Sequence, residues 1–121
     1  MVAVSIALML AMGSSIAQMA SGTGFFVTRN GHLITSLHVI DGANEISVKT
    51  FDGRLFRATV LVSDRSNDLA VLKVEGKFSP LALAQSGAVK RGASVITIGF
   101  PNLALQGFEP KVTDMGQSGL W

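Results

Sequence analysis

The apolar and polar positions of this chain alternate over short stretches that are separated by tight turns. Residues 45–50 (EISVKT) change between polar and apolar at every position, as a strand with one buried face does. The Asn30-Gly31 and Asp52-Gly53 pairs predict hairpin turns, because these residue types tolerate positive φ. Six strands are predicted, at residues 23–28, 33–35, 45–50, 55–62, 69–74 and 93–98. This pattern favours an all-β fold, a small closed antiparallel β-barrel.

Three segments depart from simple alternation. Residues 69–74 (LAVLKV) are almost continuously apolar, which predicts a strand that is buried on both faces. Residues 38–42 (HVIDG) predict one helical turn that ends at Gly42, since glycine readily takes the left-handed conformation found after helices. From residue 102 onward the pattern weakens, and residues 106–114 are compatible with either a further strand or a linker.

Residues 1–20 form an apolar N-terminal segment of a different character. Residues 1–12 contain a single polar residue, Ser5, and small residues at Ser15 and Ala17 fit a secretory signal that is cut after Ala17. The segment has no Lys or Arg before its apolar run, so an upstream start, an uncleaved anchor and a packed structural segment are alternatives. Its apolar run is shorter than the roughly 20 residues that span a membrane. We expect residues 1–17 to lie outside the barrel core.

Composition narrows the function classes. The 121 residues are enough for one small domain, and 48% of them are apolar and 15% charged, as in a folded protein. The formal net charge is +2, and no basic block or basic-aromatic pattern points to nucleic acid. The absence of cysteine excludes disulfides, thiolate metal sites and a cysteine nucleophile.

Candidate chemistry centres on His38 and Asp68. Asp68 stands at the head of an apolar strand, where a carboxylate is costly to bury unless a partner satisfies it. A histidine whose tautomer is set by such an aspartate can act as a general base, and the chain has only two histidines. His32 falls in the first hairpin turn and is given no role. Asp41 and Asp64 are weaker candidates, interpreted as a helix-end carboxylate and as part of a polar turn.

Five sequence blocks, taken together, carry a family resemblance. They are residues 21–25 (SGTGF), 35–43 (TSLHVIDGA), 51–54 (FDGR), 63–74 (SDRSNDLAVLKV) and 95–101 (VITIGFP). Their residues, order and spacing resemble trypsin-like serine proteases of the HtrA (Deg) type, a bacterial branch without disulfides. That family folds as two six-stranded barrels with the active site between them. The resemblance implies that residues 21–101 are the N-terminal barrel and that residues 102–121 begin the inter-barrel linker or a second barrel, which is largely missing.

The resemblance also implies roles for individual residues. His38 would take the proton from a serine hydroxyl, and Asp68 would hold the His38 ring in the productive tautomer. The family's nucleophile lies in the second barrel, and the nearest imitation here is Ser118 in residues 116–119 (GQSG). Ser118 is not expected to be the nucleophile, because only three residues follow it. The isolated chain is therefore expected to be inactive.

The function implied by the family is hydrolysis of peptide bonds in unfolded or damaged proteins, with no metal or other cofactor. The expected location is the periplasm or the exterior of a bacterial cell, with membrane contact only through residues 1–20 if they stay uncleaved. Two alternatives remain open: a non-catalytic barrel that binds a protein partner, and a membrane-tethered fragment. Self-association through an exposed apolar face is a further expectation.

Overall fold

The computed structural model describes residues 6–13, 19–100 and 111–114. The chain forms eight strands and one short helix within these ranges. The elements, in chain order, are β1 (Ile6–Gly13), β2 (Met19–Phe26), β3 (His32–Ser36), α1 (Leu37–Ile40), β4 (Ala43–Thr50), β5 (Leu55–Asp64), β6 (Leu69–Val74), β7 (Ile96–Gly99) and β8 (Lys111–Asp114).

Six strands close into an antiparallel barrel in the order β1-β2-β3-β6-β5-β4. In β3, β4 and β6, buried side chains alternate with more exposed ones, which points one face of each strand into the barrel. The largest fully buried side chains, which make the centre of the core, are Phe26, Leu33, Val48, Leu72 and Val74. The predicted all-β barrel is therefore confirmed.

The N-terminal segment corrects one expectation. Ile6–Gly13 does not stand apart from the barrel, because β1 pairs with β2 on one side and with β4 on the other. A short apolar run looks the same in a signal sequence and in a strand, so periodicity alone could not separate them. Here the run supplies the strand that closes the barrel. The proposed cut after Ala17 lies outside the described residues.

The strand predicted at residues 93–98 is also placed differently. The observed strand β7 pairs with β8 in a separate two-stranded sheet, so residues 21–101 do not coincide with the barrel. The physical reason is that β1 pairs with both β2 and β4 and so closes the barrel, which leaves no strand edge with which β7 could pair. β8 shows that residues 106–114 contain a further strand.

The interior of the barrel corrects the expectation for β6. Ala70, Leu72 and Val74 are buried, whereas Leu69 is 48% exposed, so this strand has one buried face and not two. The predicted hairpin turns are present, and Gly31 adopts a φ of 95°. A Cβ atom at Gly31 would lie 1.8 Å from the Val74 carbonyl oxygen, so this turn admits only glycine.

Candidate active site

The pairing of β3 with β6 brings two distant parts of the chain together. Thr35 is opposite Ala70 and Ser36 is opposite Leu69 in this register. One step further along both strands, the Leu37 amide donates a hydrogen bond to the Asp68 carbonyl oxygen over 3.0 Å. The start of α1 and the residue before β6 are thus held at the same end of the barrel.

His38 and Asp68 meet at this point through two hydrogen bonds. The distance from His38 Nδ1 to Asp68 Oδ2 is 2.5 Å, and the His38 backbone amide donates to Asp68 Oδ1 over 2.8 Å. Both oxygens of one carboxylate are therefore used by one residue, which fixes the ring relative to its own backbone. The expected direct contact between the two side chains is confirmed.

The charge of Asp68 determines which way the hydrogen bond runs. The hydrogen bond from the His38 side chain, followed by the one from the His38 backbone amide, lowers the pKa of Asp68 below its usual range. Asp68 is consequently ionised near neutral pH, and an ionised carboxylate can only accept hydrogen bonds. The proton in the side-chain bond therefore belongs to His38 Nδ1, which leaves Nε2 as the basic nitrogen of the neutral ring.

The backbone of Asp68 is unusual. Its φ is 55°, and it is the one non-glycine residue with positive φ among the described residues. Aspartate tolerates this left-handed conformation better than most residue types, but such conformations are uncommon outside glycine. This turn places the Asp68 carboxylate beneath the first residues of α1, where it binds both the backbone amide and the ring of His38.

The pair is more exposed than the sequence suggested. The side chain of His38 is 72% exposed and that of Asp68 is 48% exposed. The strand of Asp68 is apolar, but the residue itself lies at the rim of the barrel, where water reaches it. Geometry and hydrogen bonding, and not burial, therefore keep these two side chains in register with each other.

Gly22 sets how closely the helical turn of His38 approaches the barrel. A Cβ atom at Gly22 would lie 2.7 Å from both Cγ atoms of Val39, the residue after His38. Real Cβ atoms essentially never approach other heavy atoms this closely. Val39 is partly buried and packs against the hydrophobic core, so α1 sits on β2 only because position 22 carries no side chain.

We expect Gly22→Ala to destabilise the folded protein by about 1–3 kcal/mol, the usual cost of overpacking. Val39→Ala removes the two methyl groups that clash but also core packing, so we expect it to destabilise the Gly22→Ala variant less than it destabilises wild type. Urea denaturation of wild type, both single variants and the double variant measures this difference. Equal stability of wild type and Gly22→Ala, or equal effects of Val39→Ala in the two backgrounds, would contradict this assignment.

The other candidate residues have partners of their own. His32 Nδ1 lies 2.7 Å from Thr28 Oγ1 within the first hairpin, at the end of β3 that is remote from His38. Asp64 accepts hydrogen bonds from the backbone and side chain of Asn67. Asp41 accepts two hydrogen bonds from Arg65. None of these three contacts includes His38, and Ser118 lies outside the described residues.

The described residues, 6–13, 19–100 and 111–114, lack two further features. In that part of the chain, no group of three or more His, Cys, Asp or Glu side chains is arranged to hold a metal ion. No helix there is long and apolar enough to cross a membrane.

Comparison with known proteins gives the family. The model of the trypsin-like peptidase domain matches residues 22–118, which is most of the chain. The chain belongs to the trypsin-like peptidases. Within this group its relatives are of the HtrA/Deg type, as the sequence resemblance implies. A "probable periplasmic serine endoprotease DegP-like" from Hahella chejuensis is 43% identical over 95 residues, and the one from Pseudomonas savastanoi is 41% identical over 93 residues.

Solved structures support the same placement of this trypsin-like peptidase chain. The HtrA-type protease AlgW, solved with a tripeptide, superposes with a TM-score of 0.79 at 30% identity over 91% of this chain and 35% of its own. The Rv3671c protease from M. tuberculosis, in its active form, gives 0.77 at 28% identity over 91% of this chain and 46% of its own. The two curated relatives are matched over 78% and 76% of this chain, which spans 19% of each relative's length.

Proposed function

We propose that this chain supplies two groups of a serine endopeptidase. His38 is the general base, and Asp68 is the carboxylate that orients it. The observation that carries the proposal is the 2.5 Å contact between His38 Nδ1 and Asp68 Oδ2. It fixes the histidine tautomer in which Nε2 can accept a proton, as the aspartate does for the histidine of a serine protease triad. The names of the relatives, all serine endoproteases, agree with this chemistry.

In the proposed reaction, His38 Nε2 removes the proton from a serine hydroxyl as the serine oxygen attacks the carbonyl carbon of a peptide bond. The imidazolium that forms is stabilised by the ionised Asp68 and then gives its proton to the leaving amine as the C–N bond breaks. Water enters next, loses a proton to Nε2 and attacks the acyl-enzyme ester. The proton then returns to the serine oxygen, which restores the starting state.

The serine is assigned to a part of the protease outside the described residues. Within residues 20–100, the hydrogen bond observed at the His38 ring goes to Asp68 and not to a serine. On β5 and at the start of β6, the apolar residues Val60, Leu61, Val62 and Leu69 are exposed. A surface of this kind fits a barrel that packs against further protein. Polypeptides are the proposed substrates and the periplasm the proposed location, in line with the relatives' names.

A fluorophosphonate probe tests the proposal, because it reacts only with a serine that a neighbouring base activates. In the full gene product, we expect one labelled serine, and we expect His38→Ala to abolish the labelling. Mass spectrometry of the labelled peptide identifies the residue. Labelling of Ser118 would overturn the expectation that Ser118 is not the nucleophile. Labelling that survives His38→Ala would overturn the role of His38, and no labelling at all would favour the non-catalytic, partner-binding alternative.

A further inference from the structure

A second pair of charged residues joins the two segments that carry His38 and Asp68. Arg65 Nη1 donates to Asp41 Oδ2 over 2.8 Å, and Arg65 Nη2 donates to Asp41 Oδ1 over 3.2 Å. Two parallel hydrogen bonds between a guanidinium group and a carboxylate restrict orientation as well as distance. A single-point contact, such as a lysine would make, restricts distance alone.

The position of this pair is symmetric about the site. Asp41 follows His38 by three residues and ends α1, and its backbone amide donates to the Leu37 carbonyl oxygen over 2.9 Å. Arg65 precedes Asp68 by three residues in the turn between β5 and β6, and its carbonyl oxygen accepts from the Asp68 amide over 3.4 Å. Each partner is therefore tied through one backbone hydrogen bond to the segment whose side chain it would orient.

We propose that Arg65 and Asp41 are positioning residues, which lock the helical turn of His38 onto the turn of Asp68 and so hold the distance between His38 Nδ1 and Asp68 Oδ2. The proposal rests on the proposed function for its catalytic consequence, but the geometric part stands by itself. Both turns need an external tie. α1 has only four residues, and the side chains of His38 and Asp68 are too exposed for packing to fix them.

The pair is better suited to geometry than to stability. The side chains of Arg65 and Asp41 are 77% and 47% exposed, and exposed ion pairs contribute little to the free energy of folding. Catalysis is far more sensitive, because a displacement of about 1 Å in the reacting groups can lower a rate about 100-fold. Loss of this ion pair can therefore lower the rate of the reaction while the free energy of folding changes little.

The pKa of Asp68, followed by carboxyl-carbon NMR on this chain, separates positioning from simple electrostatics. Asp41→Ala removes a negative charge, which by charge alone would lower the pKa of the neighbouring Asp68. If Asp41 positions the pair, the hydrogen bonds from His38 weaken and the pKa of Asp68 rises instead. We expect the rise, and a fall or an unchanged pKa would overturn the proposal.

Asp52→Ala is the matched control for this measurement. Asp52 also pairs with an arginine, Arg54, but it lies in the turn beyond the far end of β4. β4 has eight residues, so the two ends are roughly 25 Å apart. We expect the pKa of Asp68 to stay at its wild-type value in this variant. A rise equal to that of Asp41→Ala would show a general loss of folded structure, which also counts against positioning.

Activity of the full gene product gives the catalytic consequence. We expect Asp41→Ala and Arg65→Gln each to lower kcat about 5-fold with KM unchanged, which is the rate factor that corresponds to an exposed pair near the upper end of its usual strength. The double variant with Asp41→Arg and Arg65→Asp is expected to have a kcat close to that of wild type. The kcat of Arg65→Lys is expected to lie between those of wild type and Arg65→Gln. No recovery in the double variant would overturn the proposal.

These readouts distinguish the two hypotheses of function and positioning. If the gene product has no peptidase activity, or His38→Ala leaves that activity intact, the proposed function fails. The pKa of Asp68 still decides the positioning question in that case, because the hydrogen bonds from His38 that lower it do not require peptidase activity. If peptidase activity depends on His38 but Asp41→Ala changes neither kcat nor the pKa of Asp68, the proposed function stands and the positioning role fails.

Discussion

Replacement of His38 by alanine is expected to lower kcat for peptide hydrolysis by the full gene product by about 10⁴- to 10⁶-fold, as loss of the base in a serine protease triad does. The reason lies in the 2.5 Å bond to Asp68, which leaves His38 Nε2 as the group that can accept a proton. Without it the serine hydroxyl keeps its proton. The fold should survive, because the His38 side chain is 72% exposed.

His32→Ala is the matched control for this loss. It removes the other imidazole of the chain, which binds Thr28 in a hairpin at the far end of β3. We expect kcat to change less than about 2-fold in this variant. Measurement of kcat and KM on one peptide substrate, with circular dichroism to confirm folding, compares the two. A loss below about 10-fold in His38→Ala would remove His38 from the general-base role.

Asp68→Asn is expected to lower kcat by about 10⁴-fold while the backbone stays in place. Asparagine also tolerates positive φ, and its carbonyl oxygen can still accept from the His38 amide. Its amide nitrogen, however, would face His38 Nδ1 and donate to it. The ring then carries its proton on Nε2, the wrong tautomer for a base. The substitution thus changes the position of one proton and little else.

Asp64→Asn serves as the comparison, since it removes the same charge four residues earlier, at the end of β5. Asp64 binds Asn67 and not His38, so we expect less than about a 10-fold change in kcat. The pH dependence of kcat, measured for wild type and both variants, adds a second readout. If Asp64→Asn lost as much activity as Asp68→Asn, the carboxylate assignment would have to be revised.

The sequence was sufficient to predict those features that depend on neighbours along the chain. Alternation in β4 and the Asn30-Gly31 turn are local signals, and the structure confirms both. The contact between His38 and Asp68 spans 30 residues, and the sequence also predicts it, because the resemblance to the HtrA (Deg) type implies that these two residues work together. The pairing of β3 with β6 is what brings them into contact.

Features that depend on the closure of the barrel could not be predicted in this way. The apolar run at Ile6–Gly13 fits a signal, an anchor or a strand equally well, and only the pairing with β2 and β4 decides among them. The pair of Arg65 and Asp41 was missed for a similar reason. The sequence around Asp41 indicates a helix-end carboxylate, and nothing local points to a partner 24 residues away.

The left-handed backbone at Asp68 has a consequence for how this position can vary among descendants of the sequence. Position 68 must meet two independent requirements, one on its backbone conformation and one on its side chain. A φ of 55° is tolerated best by glycine, asparagine and aspartate, whereas a carboxylate that can bind both the backbone amide and Nδ1 of His38 is offered only by aspartate and glutamate. Aspartate alone passes both. A substitution that preserves the charge fails the backbone requirement, and a substitution that preserves the turn fails the carboxylate requirement. Almost no substitution at this position is therefore expected to leave the function unchanged.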